Sequence, residues 1–357
     1  MRKNSKDSPQ LGPRRKGSVP VLAVTMGDAR GIGPEVLLKA IAHPGLQGEF
    51  EPVIVGVPQV LEHEAETLWP GKNKVPQAVH EALAHVVDIS QAQDNFLYEL
   101  EPERLRDYLA GEPGICGRWA GRAVEKAVEL ASGGRVDAVV TAPLDKHALN
   151  LGGYPYPGHT EMLAHLAGDV EVSMMLVGDN LRVVPATTHV ALAQVSSLIT
   201  VELLLGQCRL IHRGLEELFG IRRPRIALCG LNPHLGDGGV AGDEDQKVTA
   251  VAAEAARSSG LNVLGPFPAD TVFVRAVRGE FDAVLAMYHD QAMIAVKMHA
   301  FGRGVNLTLG LPFIRSSPDH GTALDIAGKG CADETSMVQA LRVAIELSRK
   351  KRRGEKG

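Results

Sequence analysis

Residues 281–330 read FDAVLAMYHDQAMIAVKMHAFGRGVNLTLGLPFIRSSPDHGTALDIAGKG. Phe281 to Met287 is a short apolar run that stops at a polar cluster, the pattern of a buried strand. Tyr288, His289, Asp290 and Gln291 follow at once. In an open α/β sheet, ligands bind just outside the carboxyl ends of the strands, so this junction is a candidate site. Lys297, Arg303, Asn306 and Arg315 come next, between glycines and a proline. Guanidinium and ammonium groups match phosphate and carboxylate oxygens, and their density here points to an anionic ligand. A solvated loop with a few surface charges is the plainer alternative. It does not account for the alternation of those charges with glycine and apolar residues.

The same pattern of strand followed by polar loop recurs earlier in the chain. Val19 to Thr25 is a first strand that runs into TMGDARGIGPEVLLKAIA, residues 25–42. Gly27, Gly31 and Gly33 allow a tight turn, and Pro34 suits the first turn of a helix. The spacing is not GxGxxG, so a plain turn and an anion-holding loop both stay open. Pro52 to Val57 is a second strand, and Ala120 to Ala131 an amphipathic helix ended by Gly133 and Gly134. Val136 to Thr141 is a strand that leads into Ala-Pro-Leu-Asp-Lys, which puts Lys146 just past a strand end as a candidate catalytic or substrate-binding lysine. Tyr156-Pro157-Gly158-His159-Thr160-Glu161 opens the next helix. Free N–H groups and the helix dipole favour an anion at His159 and Thr160, unless Thr160 serves only as a cap.

Val172 to Val177 and Arg182 to Ala186 read as adjacent strands about a turn at Gly178-Asp179-Asn180, the second ending in Thr187-Thr188-His189. A helix from Val201 to Phe219 and a strand from Arg225 to Cys229 follow, with His234 in the loop after that strand. Asp243 and Gln246 form a capping pair for a helix up to Ser259. A strand at Asn262 to Leu264 precedes the one quoted above. The last helix, Thr335 to Ser348, carries Val338, Leu341, Ala344 and Leu347 on one face.

The chain has 357 residues, 45% of them hydrophobic, enough for a large core and two lobes. A formal net charge of -4 and 4% aromatic residues argue against a nucleic-acid or membrane surface. Cys116, Cys208, Cys229 and Cys331 are far apart and form no CxxC pair, a reduced, cytoplasmic pattern. No apolar run approaches the length of a membrane span. Residues 1–18 and 349–357 read as basic tails, the first of them disordered, and a solvated terminus is the favoured reading of each over contact with an acidic partner.

His189, His234 and His289 each stand within a few residues of the carboxyl end of an apolar strand. Such ends converge on one crevice in a parallel sheet, and three imidazoles suit zinc or a similar divalent ion. A single histidine of this kind is more often a packed or surface residue. Asp270 and Asp290 are carboxylates able to orient the imidazoles. A metal beside an anion pocket made of Lys297, Asn306, Arg315 and the His159-Thr160 turn fits two chemistries. One is oxidation of a phosphorylated hydroxy acid, the other metal-assisted hydrolysis, and local physics leaves both open.

The motifs TMGDARGIGPE, TAPLDK, YPGHTE, TTHVAL, GLNPH, PADT, MYHDQ, GRGVNLTLGLPFIR and DHGTA cover roughly residues 19–347. Together they closely resemble the 4-hydroxythreonine-4-phosphate dehydrogenase family. The resemblance implies a three-layer α/β/α, two-lobed subunit of the isocitrate/isopropylmalate dehydrogenase-like type, with the active site in the cleft between lobes. The first lobe is expected at 19–140 with 300–348 and the second, with dimer contacts, at 141–299. The implied reaction is NAD-dependent oxidation of 4-phosphooxy-L-threonine at its 3-hydroxyl. The β-keto acid then loses carbon dioxide and leaves 3-amino-2-oxopropyl phosphate, a step in pyridoxal 5'-phosphate synthesis.

By the same resemblance, a divalent metal (Zn, Mg or Co) is bound by His189, His234 and His289. Substrate is held by His159, Thr160, Lys297, Asn306 and Arg315. Family members are homodimers whose active site draws on both chains. Lys146, Asp270 and Asp290 are the candidate catalytic residues. HGTALDIAGKG, residues 320–330, is similar to the nucleotide loop of the isocitrate and isopropylmalate dehydrogenases. That likeness assigns NAD to His320, Gly321, Thr322, Asp325 and Ile326, with Asp325 on the adenosine ribose, which disfavours a 2′-phosphate.

Two positions depart from the family pattern. The usual proline after Gly-Asp in the first glycine loop is Ala29, and Arg30 follows it. The YPGHTE and THVAL motifs also occur in sister enzymes acting on 4-phospho-D-threonate or 4-phospho-D-erythronate, while GRGVNLTLG leans toward the pyridoxal pathway enzyme. A metal-dependent hydrolase is the alternative of another class, and the nucleotide loop speaks against it. A binding protein that keeps the site without turnover is the remaining alternative, and the intact ligand residues speak against that.

Overall fold

The computed structural model describes residues 19–71, 74–91, 94 and 102–354. The expected tail at 1–18 and residues 355–357 lie outside them. The first part of the chain runs β1 (Val21–Thr25), α1 (Gly33–Ala42), β2 (Glu51–Gly56), α2 (Pro58–Leu68), α3 (Gln77–Leu83) and β3 (Val87–Asp88). It continues with α4 (Pro102–Gly111), α5 (Pro113–Ser132), β4 (Ala138–Thr141), α6 (Lys146–Leu151) and α7 (His159–Leu166). Next come β5 (Ser173–Gly178), β6 (Leu181–Thr187), α8 (Leu192–Leu198), α9 (Val201–Glu217), β7 (Ile226–Cys229) and α10 (Ala250–Ser258). The rest is β8 (Val263–Phe267), α11 (Ala269–Val277), β9 (Ala283–Tyr288), α12 (His289–Ala300), β10 (Val305–Leu309), β11 (Ile314–Pro318) and α13 (Thr335–Gly354). This is a mixed α/β fold, as the strand and helix alternation predicts.

The chain divides into two compact units, one holding the residues up to Asp169 with Pro312–Arg349, the other Val170–Leu311 with the residues from Lys350 on. The divisions fall at 170 and 312, where the sequence places them at 141 and 300. The reason is that α6 packs on α5, which in turn lies against β1 and β4, so the segment after Thr141 stays with the first unit.

In the first unit the strands run β3-β2-β1-β4-β11. Every pair is parallel, with Val21 beside Glu51, Leu22 beside Ala138 and Arg315 beside Val139. All residues of β1, β4 and β11 are buried, as expected for strands covered on both faces. Parallel strands bring their carboxyl ends to one edge. The glycine loop after β1, the 142–146 loop after β4 and the 319–330 loop after β11 therefore leave the sheet together.

In the second unit the order is β10-β5-β6-β9-β7-β8. The β5–β6 hairpin forms about Asp179-Asn180, with Val177 opposite Arg182, and β10 is antiparallel to β5. From β6 onward the pairs are parallel. The strands β6, β9 and β7 are adjacent, so the segments carrying His189, His289 and His234 all leave one edge.

Three local expectations are corrected. The last helix does not stop at Ser348 but continues through the basic residues to Gly354, and Arg349 pairs with Glu49 at 2.7 Å. Asp243 and Gln246 do not form a capping box: Asp243 pairs with Lys247, and the segment Asp245–Thr249 is a π-helical turn. The strand expected at 262–264 extends to Phe267. Among the described residues, no helix is long and apolar enough to cross a membrane.

Candidate active site

In the first unit, Arg315 lies on β11, with the neighbouring strand β4 ending at Thr141. Arg315 is only 4% exposed and its Nη2 donates to Thr141 Oγ1 at 2.6 Å. Burial alone brings the guanidinium down to about 10, because removing a charge from water disfavours it. His159 is the first residue of α7. Its Nε2 is buried without a hydrogen-bond partner, and its pKa is held well below the usual histidine value by burial first and by the Arg315 charge second. The imidazole is therefore neutral at ordinary pH, beside a permanent cation. Gly158 precedes it, and a Cβ built there would fall 3.4 Å from Lys146 Cε and 3.9 Å from its Nζ. Lys146 thus stands at the helix start that carries His159 and Thr160. A buried guanidinium, an ammonium and the free N–H groups of a helix N-terminus are together able to hold an anion.

The glycine loop sits against the two neighbouring loops. Gly27 has φ 73°, and a Cβ there would collide with the Pro143 carbonyl, so only glycine fits. A Cβ at Gly31 would come within 2.6 Å of the Thr322 carbonyl oxygen, and Ile32 N donates to that oxygen at 2.9 Å. Arg30 is turned inward. Its Nε and Nη2 donate to the two carboxylate oxygens of buried Asp28 at 3.1 and 2.7 Å, and Nη2 lies 3.5 Å from Asp145 Oδ1. The hydrogen bonding of its guanidinium to the Asp28 carboxylate is the main reason that the Arg30 pKa is raised. Asp145 caps α6 through Ala148 N at 2.6 Å, directly before Lys146.

The 319–330 loop has no regular secondary structure. It presents Asp325 to solvent, with a turn closed from Ile326 N to Ala323 O at 3.1 Å. His320 Nδ1 meets the Gly321 carbonyl at 3.0 Å, which leaves Nε2 as the lone-pair nitrogen, buried and without a partner. An exposed carboxylate and an unfilled acceptor on one glycine-rich loop fit the ribose and base of a nucleotide.

In the second unit, His289 opens α12 directly after β9. Its Nδ1 donates to Asp290 Oδ1 at 2.7 Å, which fixes the tautomer and leaves Nε2 as a ligand atom. The His189 and His289 rings are 5.8 Å apart and line a cavity of about 220 Å³ with Thr187, Thr188, Tyr288 and Asp290. Two imidazoles on one tetrahedral ion have centroids about 5 Å apart, given metal–nitrogen bonds of about 2.1 Å. The pair therefore fits a metal. His234 lies on a separate turn, with left-handed φ values at His234 (51°), Leu235 (59°) and Asp237 (47°). Among the described residues, no three His, Cys, Asp or Glu side chains come close enough to hold an ion.

Some of the chemistry escapes a reading of the sequence. Arg303 is not part of an anion pocket, because it forms a forked ion pair with Asp179 on the hairpin turn at 2.7 and 3.2 Å. Lys297 lies in the last turn of α12 and not in a loop, and Asn306 sits on β10 with its Oδ1 buried without a partner. Asp270 is in the first turn of α11 and lines an apolar groove with Asp290 and Ile294. Buried Asp245 accepts from Leu231 N and Asn232 N, both at 2.8 Å, and so shapes the His234 turn. Gln291 accepts from Met287 N at 2.7 Å and donates to Gly230 O at 3.0 Å, tying the β7 exit to the β9–α12 junction. A polar residue bonded to the backbone of a distant loop leaves no local pattern to find.

The family model for pyridoxal phosphate biosynthetic protein PdxA matches residues 49–344. The chain is 45% identical to a D-threonate 4-phosphate dehydrogenase of Cupriavidus necator over 335 residues, covering 92% of this chain and 98% of that one. It is 42% identical to a 4-hydroxythreonine-4-phosphate dehydrogenase of Acidithiobacillus ferrooxidans over 341 residues, 93% and 98% of the two chains. Its structure is similar to the crystal structure of 4-hydroxythreonine-4-phosphate dehydrogenase from Klebsiella pneumoniae, with a TM-score of 0.79 and 36% identity over 92% of this chain and 99% of that one. With its motifs, its α/β fold and these likenesses taken together, the chain belongs to the PdxA family.

Proposed function

We propose that this chain is an NAD- and divalent-metal-dependent dehydrogenase that oxidises the 3-hydroxyl of 4-phosphooxy-L-threonine. The resulting 2-amino-3-oxo acid loses carbon dioxide and leaves 3-amino-2-oxopropyl phosphate. The observation that carries this reading is buried Arg315, held by Thr141 next to neutral His159 at the start of α7. Burying a guanidinium is costly, and a phosphate seated there offsets the cost.

Arg315, His159, Thr160 and the N-terminus of α7 hold the phosphate, and Lys297 and Asn306 keep the substrate role that the resemblance gives them. Lys146, beside the same helix start, is the candidate to take the hydroxyl proton, with Asp270 the other. His189, His234 and His289 would hold the ion, and Asp290 fixes the imidazole of His289. Asp325, Ile326, His320, Gly321 and Thr322 would hold the nucleotide, and the Asp325 carboxylate repels a 2′-phosphate. Bound by these residues, NAD would supply a hydride acceptor for the oxidation and the divalent ion a Lewis acid for the hydroxyl oxygen. The family resemblance also implies a homodimer in which each metal site draws on both copies.

A second reading, oxidation of 4-phospho-D-threonate, is favoured by the 45% identity to a relative of that name. Phosphate and 3-hydroxyl are common to both substrates, so the residues above serve either. The test is NADH formation with each ester, with and without a chelator. Chelator-sensitive turnover of the L-amino acid ester supports the first reading, and preference for the D-threonate ester replaces it with the second. No NADH from either ester sinks both.

A further inference from the structure

The loop proposed to carry the nucleotide is fastened at both ends to one helix. At its start, Thr322 O accepts from Ile32 N, at the entrance of α1. At its end, Lys39 Nζ, two turns into α1, donates to Gly330 O at 2.9 Å and Ala332 O at 2.8 Å. Its third proton goes to Glu35 Oε1 at 2.8 Å. That same oxygen accepts from Ala332 N at 2.8 Å. Glu35 is fully buried, and Lys39 is 19% exposed at its side chain. Further along the loop, a Cβ at Gly328 would lie 2.8 Å from Nε of Arg106, which pairs with buried Glu64.

An ammonium has three protons, and those of Lys39 are all placed on protein oxygens. Lys39 therefore has no donor left for a ligand. Two of its three acceptors are main-chain carbonyls of the loop. They replace part of the hydration shell that burial removes, so the loop and the ion pair keep each other in place. Between the two fastenings lies Asp325, on a turn that includes Ala323 at a left-handed φ of 42°. Releasing one end multiplies the conformations open to the loop, and a ligand must then pay the entropy of ordering it.

We propose that Glu35 and Lys39 are positioning residues that clasp the nucleotide loop, so that α1 sets cofactor affinity without touching the cofactor. This rests on the reading that the loop binds NAD. The test compares the full-length protein with Lys39→Arg, which keeps donors for the carbonyls, and with Lys39→Met. The double variant Glu35→Gln/Lys39→Met removes the charge that Lys39→Met strands and keeps a folded protein in hand. Two quantities are measured: amide hydrogen exchange of residues 320–333 without ligand, and the Kd for NAD by titration calorimetry, with the Kd for inorganic phosphate as the control.

The expected result is at least tenfold faster loop exchange and a tenfold or weaker NAD Kd in the methionine variants. The phosphate Kd stays within twofold, and Lys39→Arg recovers most of the loss. Unchanged exchange across the loop in a folded methionine variant overturns the clasp. So does an NAD Kd that moves only in step with the phosphate Kd, since that marks general destabilisation. A wild-type chain that binds no NAD sinks the cofactor reading separately. The clasp is then decided by exchange alone, faster exchange supporting it and unchanged exchange overturning it.

Discussion

His159 is neutral because of where it sits, and a phosphate bound as proposed beside it would bind with proton linkage. Its pKa is depressed by burial and by Arg315, so an arriving phosphate dianion raises it by supplying the opposite charge. Binding of inorganic phosphate near pH 7 is expected to take up protons, seen as a calorimetric heat that differs between buffers of different ionisation enthalpy. His159→Gln removes that difference. The stability sign follows. The unfolded imidazole titrates at about 6.5, and the folded one well below that value. Stability from neutral His159 is complete above about pH 6.5 and is lost as the pH falls from there to the folded pKa. Between pH 8 and 5, the Tm of the wild type should fall more than that of His159→Gln. Arg30 makes a different prediction at the same scale. Its fork neutralises Asp28, which is 1% exposed, so Arg30→Ala leaves that buried carboxylate the backbone N–H of residue 30 but not the paired guanidinium, at a cost of about 3 kcal/mol. Arg30→Lys should recover little, because one ammonium cannot match both carboxylate oxygens. Denaturant melts check both variants.

At the scale of elements, the turn from β9 into α12 places the imidazole of His289. Asp290 is the second residue of the helix and holds Nδ1 of the first, His289. Asp290→Asn should weaken divalent-ion binding 10- to 100-fold, through loss of imidazole orientation, while leaving the fold intact. Competition against a chromophoric chelator measures this, and equal affinity in the variant would remove Asp290 from the site. Much of this level was legible in the sequence. The apolar run before Tyr288-His289-Asp290, the glycines before Pro34 and the Gly158-His159-Thr160 turn each announce themselves within a few residues. Their strands and helices form where expected, with small shifts at the ends. What local pattern cannot carry is pairing at a distance. Arg303 looks like one more phosphate ligand until Asp179, 124 positions earlier, is found beside it. Lys39 looks like an ordinary helical lysine until the loop carbonyls 291 and 293 positions later are placed on it. The continuation of α13 through its basic residues was likewise hidden, because a run of Lys and Arg reads equally as a tail or as an exposed helical face.

At the scale of the whole molecule, the proposed homodimer would be part of the chemistry, with each metal site drawing on both copies. If each metal site takes His234 from one copy and His289 from the other, His234→Ala and His289→Ala should each be inactive alone. Mixed and reassembled, they should recover up to about a quarter of wild-type activity, since half the dimers are hybrids and each hybrid holds one intact site. Silence after proven hybrid formation would place His234 and His289 of each site on the same copy. The central claim is hydride transfer from C3 of a phosphorylated hydroxy acid to NAD. Its most direct test uses 4-phosphooxy-L-threonine and 4-phospho-D-threonate deuterated at C3, with mass spectrometry of the nicotinamide. Deuterium in the reduced cofactor, one per turnover, is the result expected. Release of inorganic phosphate with no reduced cofactor would contradict it and leave a metal-dependent hydrolase in its place.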